Sequence, residues 1–160
     1  MELNDAQKKM LTESRVASVA TIDADGYPHL TSVWFLYQNE KLYLAIPSGS
    51  VKARNLNGNA RLAVMIDIRV AYEECGVTAI GDANIITGDA AGPIVETLHR
   101  KYLTEQGMAD PAVGPVFNAI DDYAIELTPK RWISWNMGAL DQMAFGGAIT
   151  SNRYLQDIAP

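Results

Sequence analysis

Residues 15–46, RVASVATIDADGYPHLTSVWFLYQNEKLYLAI, decide how this chain folds. Arg15–Ile22 and His29–Tyr37 are rich in β-branched and aromatic side chains, which fit a pleated sheet. Between them Asp23-Ala24-Asp25-Gly26 carries an Asp-Gly pair suited to positive φ, so the two segments are expected to form a hairpin. A second turn at Gln38-Asn39-Glu40 leads into Lys41–Ile46, where Leu42, Leu44 and Ile46 alternate with Tyr43 and Ala45. The expectation is three antiparallel strands in meander order.

Working outward, Asn4 and Gln7 stand at capping-box spacing and predict a short first helix with Ala6, Met10 and Leu11 on one face. Pro47-Ser48-Gly49-Ser50 breaks the third strand, and Val51–Asn57 reads as a short helix with Ser50 as N-cap and Gly58 just past its end. Strands resume at Arg61–Ile68 and Gly76–Thr87, where Gly81 marks a bulge or a close backbone approach. Val95, Leu98 and Tyr102 recur at helical spacing, the Glu96–Arg100 pair supports them, and a helix is expected from about Pro93 to Gln106, ended by Gly107. Met108–Asp122, with Pro111 and Pro115, reads as loop or broken helix. Tyr123–Leu127 and Arg131–Trp135 close the sheet around Thr128-Pro129-Lys130, and the tail 138–160 is left unassigned. Six or seven strands joined mostly by hairpin-length links make a mainly β, antiparallel barrel or sandwich with helices packed on it. No G-x-G-x-x-G follows a strand, so a doubly wound dinucleotide fold has no support.

The 160 residues suit one domain over 1–160, and 48% hydrophobic with 20% charged residues is the composition of a chain that builds a core. Thirteen basic against nineteen acidic residues give −6, a field that disfavours nucleic acid as partner. The single Cys75 and two histidines offer no disulfide and no metal cluster. No secretory signal is read at the N-terminus, and no apolar run reaches the ~20 residues of a membrane span. The expectation is a cytoplasmic protein without a membrane partner.

The stretch Ile46–Asn55 (IPSGSVKARN) is where chemistry is expected. A strand end, a Ser/Gly turn and a helix start bring together free N–H groups, the Ser48 and Ser50 hydroxyls and the positive end of a helix dipole. Lys52 and Arg54 add fixed positive charge to an otherwise acidic chain. That is the outline of a phosphate site, although the same residues also describe a capped surface helix with solvated Lys52 and Arg54. His29 at a strand start reads as a satisfied surface histidine, and Glu73-Glu74 and Asp121-Asp122 read as solvated turns rather than acid–base pairs. No Ser-His-Asp arrangement or other catalytic dyad stands out, and the catalytic residues are unassigned.

The order RVASVATIDADGYPH, SVWF, SVKARNLNGNARLAVMID and LTPKRWISWN resembles the pyridoxamine 5′-phosphate oxidase-like, FMN-binding split-barrel family over about residues 12 to 136. The resemblance implies a six-stranded split barrel that forms a homodimer, with a flavin in the groove between subunits. It implies that Lys52, with Ser48, Ser50 and Arg54, holds the cofactor phosphate and that Asn55 supports the turn. Thr31, Ser32, Val33 and Trp34 would lie along the ring system, and Trp132 and Trp135 resemble closing-strand aromatics near the dimer groove. Trp34 and Phe35 must point to opposite faces of a strand, as must Trp132 and Trp135, so not all can serve the site.

The function implied is hydride transfer between FMN and a small organic substrate, for which the protein need only position the ring and shape a pocket. A deazaflavin, factor 420, is the alternative cofactor. Its acidic oligoglutamate tail calls for extra basic residues, and Lys52, Arg54, Lys130 and Arg131 are candidates. Pyridoxine-phosphate oxidation is a weaker option, because its second phosphate needs another basic cluster and only Arg153 follows Trp132. A non-catalytic flavin or haem carrier is a further reading, and a haem carrier would need His29 or His99 as axial ligand.

Overall fold

Each hairpin turn is set by its own chain chemistry. In the computed structural model, which describes residues 2–156, β1 (Val16–Ile22) pairs antiparallel with β2 (Pro28–Gln38), and β2 with β3 (Lys41–Pro47). Gly26 takes φ 86° in the first turn, while Asn39 and Glu40 at φ 52° and 60° form the two-residue connection whose twist matches the flanking strands. The sequence continues through α2 (Val51–Gly58) to β4 (Arg61–Ile68), β5 (Cys75–Ile86), β6 (Asp122–Leu127) and β7 (Arg131–Asn136). The free edge of β1 takes β4, β4 takes β5, β5 takes β6, and β6 returns to β3. Six strands thus close into an antiparallel barrel, and β7 lies outside it, paired to β5.

Two long strands split the barrel by changing partner. The first half of β2 pairs with β1 through Trp34, and its second half pairs with β3 from Phe35 onward. β5 pairs with β4 up to Asp82 and with β6 from Ala83. At this corner stands Gly81, where a Cβ would lie 2.7 Å from the Thr128 carbonyl oxygen and 2.9 Å from Leu127 Cδ1. The close approach expected from the sequence is therefore real, and it is what glycine permits.

Alternation along each strand fills the interior. Val19, Phe35, Leu42, Leu44, Val64 and Ile125 are buried in one cluster with Met10 and Leu11 of α1 (Asp5–Thr12), which plugs an end of the barrel. Asn4 and Gln7 form the expected capping box, although Ala6 stays exposed. Trp132 faces inward, edge-on to Tyr37 with ring centroids 6.5 Å apart, and Trp135 faces outward, as the strand period requires.

The long helix expected at 93–106 is shorter and broken. α3 (Gly92–Tyr102) ends at Leu103, and the Thr104 hydroxyl, accepting from Gly107 N–H, starts a separate α4 (Glu105–Ala109). Gly107 is thus inside a second helix rather than the stop of the first. The stretch 108–122, expected as loop or broken helix, holds the end of α4 and the short α5 (Gly114–Ala119), and the unassigned tail forms α6 (Met137–Phe145) and α7 (Ala148–Asn152). The Asp141 carboxylate caps α7 by accepting from Ile149 and Thr150 N–H, a tertiary contact that no local pattern announces. The end of the unassigned tail lies outside the described residues. No helix among the described residues is long and apolar enough to cross a membrane.

Candidate functional site

Ser50 caps α2 as expected, its hydroxyl accepting from Ala53 N–H at 3.2 Å. Ala53 and Leu56 anchor the helix on the barrel, and Lys52 and Asn55, three residues apart, share a neighbouring side. Asn55 Nδ2 donates to Thr21 Oγ1 at 3.0 Å, docking α2 onto β1. Thr21 lies in register with His29 of β2, and Val19 with Thr31. Asn55 thus ties α2 to the strand pair whose polar inward positions are Thr21, His29 and Thr31, and Lys52 lies one turn earlier on the same helix.

The polar groups of this region are not all satisfied. His29 Nδ1 and Thr31 Oγ1 are buried without a hydrogen-bond partner, so His29 is not the satisfied surface residue that its sequence context suggested. Lys52 is half-buried and, among the described residues, makes no hydrogen bond or ion pair; burial alone holds its ammonium below the ordinary lysine range. An uncompensated ammonium and orphaned polar atoms are chemically suited to an anionic ligand that brings acceptors and negative charge.

The first half of β2 adds a free edge. Phe35 sends its N–H and C=O toward Tyr102 and Lys101 beside Arg15, on the β1 side. Backbone groups of successive strand residues point to alternate edges, so Leu30, Ser32 and Trp34 direct theirs to the opposite edge. Among the described residues no strand pairs there, because β3 leaves β2 beyond Leu44 to follow β6.

Not every candidate converges on this spot. Ser48 Oγ donates to the Asp121 carboxylate at 2.7 Å, and Arg54 Nη1 donates to the Gly49 carbonyl at 2.9 Å, so both also latch the loop itself. Trp34 projects away beneath the helices, stacked on Tyr102 at 4.7 Å and facing Phe117 at 6.0 Å. Val33 packs on the core, and Ser32 is exposed. Trp135 lines a cleft with Asn4, Gln7, Met10 and Cys75 on β7's side of the barrel, apart from the residues of the 48–55 loop.

Two groups expected in solvated turns are buried. Asp122 begins β6 with its side chain 6% exposed, 3.8 Å from the Nε2 of His99, itself 5% exposed. Glu74 is buried beneath α6, where its carbonyl accepts from Met137 N–H. The signal that was missed is tertiary: α3, α5 and α6 cover these turns, and a charged pair in a turn does not announce a cover that arrives from elsewhere in the chain.

The outer face of the sheet carries a broad groove of about 740 Å³. Arg61, Lys130 and Arg131 line it with Asp23 and Asp82, and Lys130 is engaged by Asp82. The same face exposes Leu30 at 65% and Val16 at 52%. Among the described residues no cluster of three or more His, Cys, Asp or Glu is placed to hold a metal ion.

The family model described as pyridoxamine 5′-phosphate oxidase matches residues 3–136. The chain belongs to this family. Solved structures carry the same barrel. A conserved hypothetical protein from Mycobacterium tuberculosis is 22% identical, with a TM-score of 0.70, over 100% of this chain and 93% of its own. A factor 420 reductase is 20% identical, with a TM-score of 0.63, over 82% of this chain and 98% of its own. A haem storage protein from Vibrio cholerae is 18% identical, with a TM-score of 0.61, over 85% and 95%. At these identities the likeness is one of fold. No curated protein matches the sequence significantly. Membership of the pyridoxamine-phosphate-oxidase family agrees with the closed six-stranded barrel, its outlying seventh strand and the helices around it.

Proposed function

We propose that this member of the family is an oxidoreductase that binds FMN at the end of α2 and along the free edge of β2, in a groove completed by a second copy of the chain. The observation that carries the reading is the half-buried Lys52 ammonium, unpaired among the described residues and beside the Ser50-capped helix start. Lys52, Ser48 and Ser50 would hold the phosphate, with Arg54 bracing the loop. Asn55 fixes α2 against Thr21, so the ammonium is presented from a rigid element. The free backbone groups of Leu30, Ser32 and Trp34 are suited to the polar edge of a ring, and Thr31 has an unused hydroxyl. The bound flavin supplies the hydride chemistry, and the chain's own residues bind and orient it. Trp135 reaches such a groove only from the second copy. The exposed Val16, Leu30 and Ile133 on the outer sheet supply apolar surface for that contact.

Two observations favour the deazaflavin reading. Arg61 and Arg131 line an open groove that suits an acidic tail, and a structural neighbour is a factor 420 reductase. Titrating the protein, purified without added cofactor, with FMN and with factor 420 in parallel separates the two. Saturable FMN binding with spectral change supports an FMN enzyme; preference for factor 420 assigns the deazaflavin, and binding of neither removes the cofactor reading. Light scattering at micromolar concentration tests the second copy, and a monomer counts against the shared groove.

A further inference from the structure

A second cleft, of about 360 Å³, lies between α3, α5 and the start of β6. Its apolar wall is Val95, Phe117 and Ile120, and His99 and Asp122 lie at its base. The Asp122 side chain is more than nine-tenths buried, and its Oδ1 has no hydrogen-bond partner. Oδ2 is 3.8 Å from His99 Nε2, beyond hydrogen-bond reach. Burial lowers the affinity of His99 for a proton, so the imidazole is neutral near pH 7 and does not balance the carboxylate.

The other charged groups lining the cleft are acidic as well. Glu96 reaches it from α3 and is held by Arg100 at 2.8 Å; Asp121 reaches it from β6's approach and accepts from Ser48. Among the described residues no lysine or arginine lines it. Phe117 stands edge-on to His99 at 4.8 Å, leaving an aromatic surface beside the carboxylate. A buried carboxylate oxygen without a donor is satisfied either by a proton or by a ligand that brings a donor and a positive charge. The cleft is large enough for the second and is lined to receive it.

We propose that this cleft binds a small organic ammonium ion, its charge on the Asp122 carboxylate and its apolar body against Phe117, Val95 and Ile120. The assignment rests on neither the Lys52 loop nor the free edge of β2, and it stands or falls apart from the flavin reading. Desolvation, reinforced by Asp121, raises the Asp122 carboxyl to about 6, so the ammonium competes with a proton and binds more weakly at pH 5 than at pH 7.5.

Benzylamine is the probe, titrated into the full chain at pH 7.5 and followed by the proton resonances of the only two imidazoles, His29 and His99. The expected result is saturation at millimolar concentration or below, with the His99 signal shifting and the His29 signal still. Asp122→Asn, which keeps the side chain's shape, is expected to weaken binding at least tenfold. Benzyl alcohol, which keeps the ring and lacks the charge, is expected not to saturate on the parent protein, a comparison that needs no variant. Absence of a His99 shift up to tens of millimolar, equal binding by the alcohol, or unchanged binding to a folded Asp122→Asn overturns the proposal.

Discussion

Ser48 and Asp121 are tied twice: the Ser48 hydroxyl donates to the Asp121 carboxylate at 2.7 Å, and the Ser48 N–H donates to the Asp121 carbonyl at 2.9 Å. The backbone tie holds the 47–50 loop against the start of β6, which is useful for presenting an anion site. The carboxylate does the opposite, because it occupies a hydroxyl that a phosphate would use and repels the phosphate's charge. Asp121→Asn keeps a hydrogen-bond acceptor and removes that charge. A nearby unit charge in water is worth about 1 kcal/mol, so FMN is expected to bind several-fold more tightly to the variant. Flavin fluorescence titration of both proteins checks this, and equal or weaker binding by the variant would place the phosphate elsewhere.

Lys52→Ala is expected to weaken FMN binding on the order of 10- to 100-fold, the worth of one hydrogen bond to a charged group. The fold is expected to survive, because the helix is anchored by Ala53, Leu56 and the Asn55–Thr21 bond. Circular dichroism with the same titration separates lost binding from lost structure. A folded variant that binds FMN as well as the parent would sink the assignment.

Gly81→Ala places a methyl group against the Thr128 carbonyl and Leu127 at the corner where β5 changes partner. Forcing atoms into such a packed contact costs about 1–3 kcal/mol, so the thermal midpoint is expected to fall by several degrees. Gly49→Ala, with nothing within 4 Å of the added carbon, serves as the control and is expected to leave the midpoint nearly unchanged. Calorimetry of the two variants decides.

Lys101 gives a pH signature. Its ammonium donates to the Phe35 carbonyl at 3.1 Å and lies 3.9 Å from the Phe35 ring centre, and burial lowers its pKa from 10.5 to about 8. Between pH 8 and 10.5 the unfolded chain therefore binds the proton that the folded chain has released. Stability from this group rises with pH through that window. Measured against Lys101→Met, the parent is expected to gain about 1 kcal/mol or more from pH 8 to 10, allowing for partial exposure. Denaturant unfolding at four or five pH values gives the difference; a flat difference means the ammonium is not destabilised by burial.

Much of the architecture was legible in residues 15–46, because hairpins are local. Alternation assigns the faces, and Asn39-Glu40 and Asp25-Gly26 set the turns within a few residues of the strands that they join. The Ser50 cap and the short helix behind it were legible for the same reason. The span 93–122 was less so: Thr104 can interrupt a helix or sit within one, and the hydrogen bond to Gly107 that decides it is weak beside the packing of α3 on β2, β3 and β6.

The sequence by itself determined the strands, their turns, the helix start at Ser50 and the basic residues behind it. Only the tertiary structure decided which polar groups are left wanting a partner. Thr21 meets Asn55 across 34 residues, Ser48 meets Asp121 across 73, and Trp34 stacks on Tyr102. Burial of His29, Thr31, Asp122 and His99 likewise depends on what covers them. A side chain's chemistry is written in its residue type, but its charge, solvation and partners are set by neighbours that chain closure brings from far away.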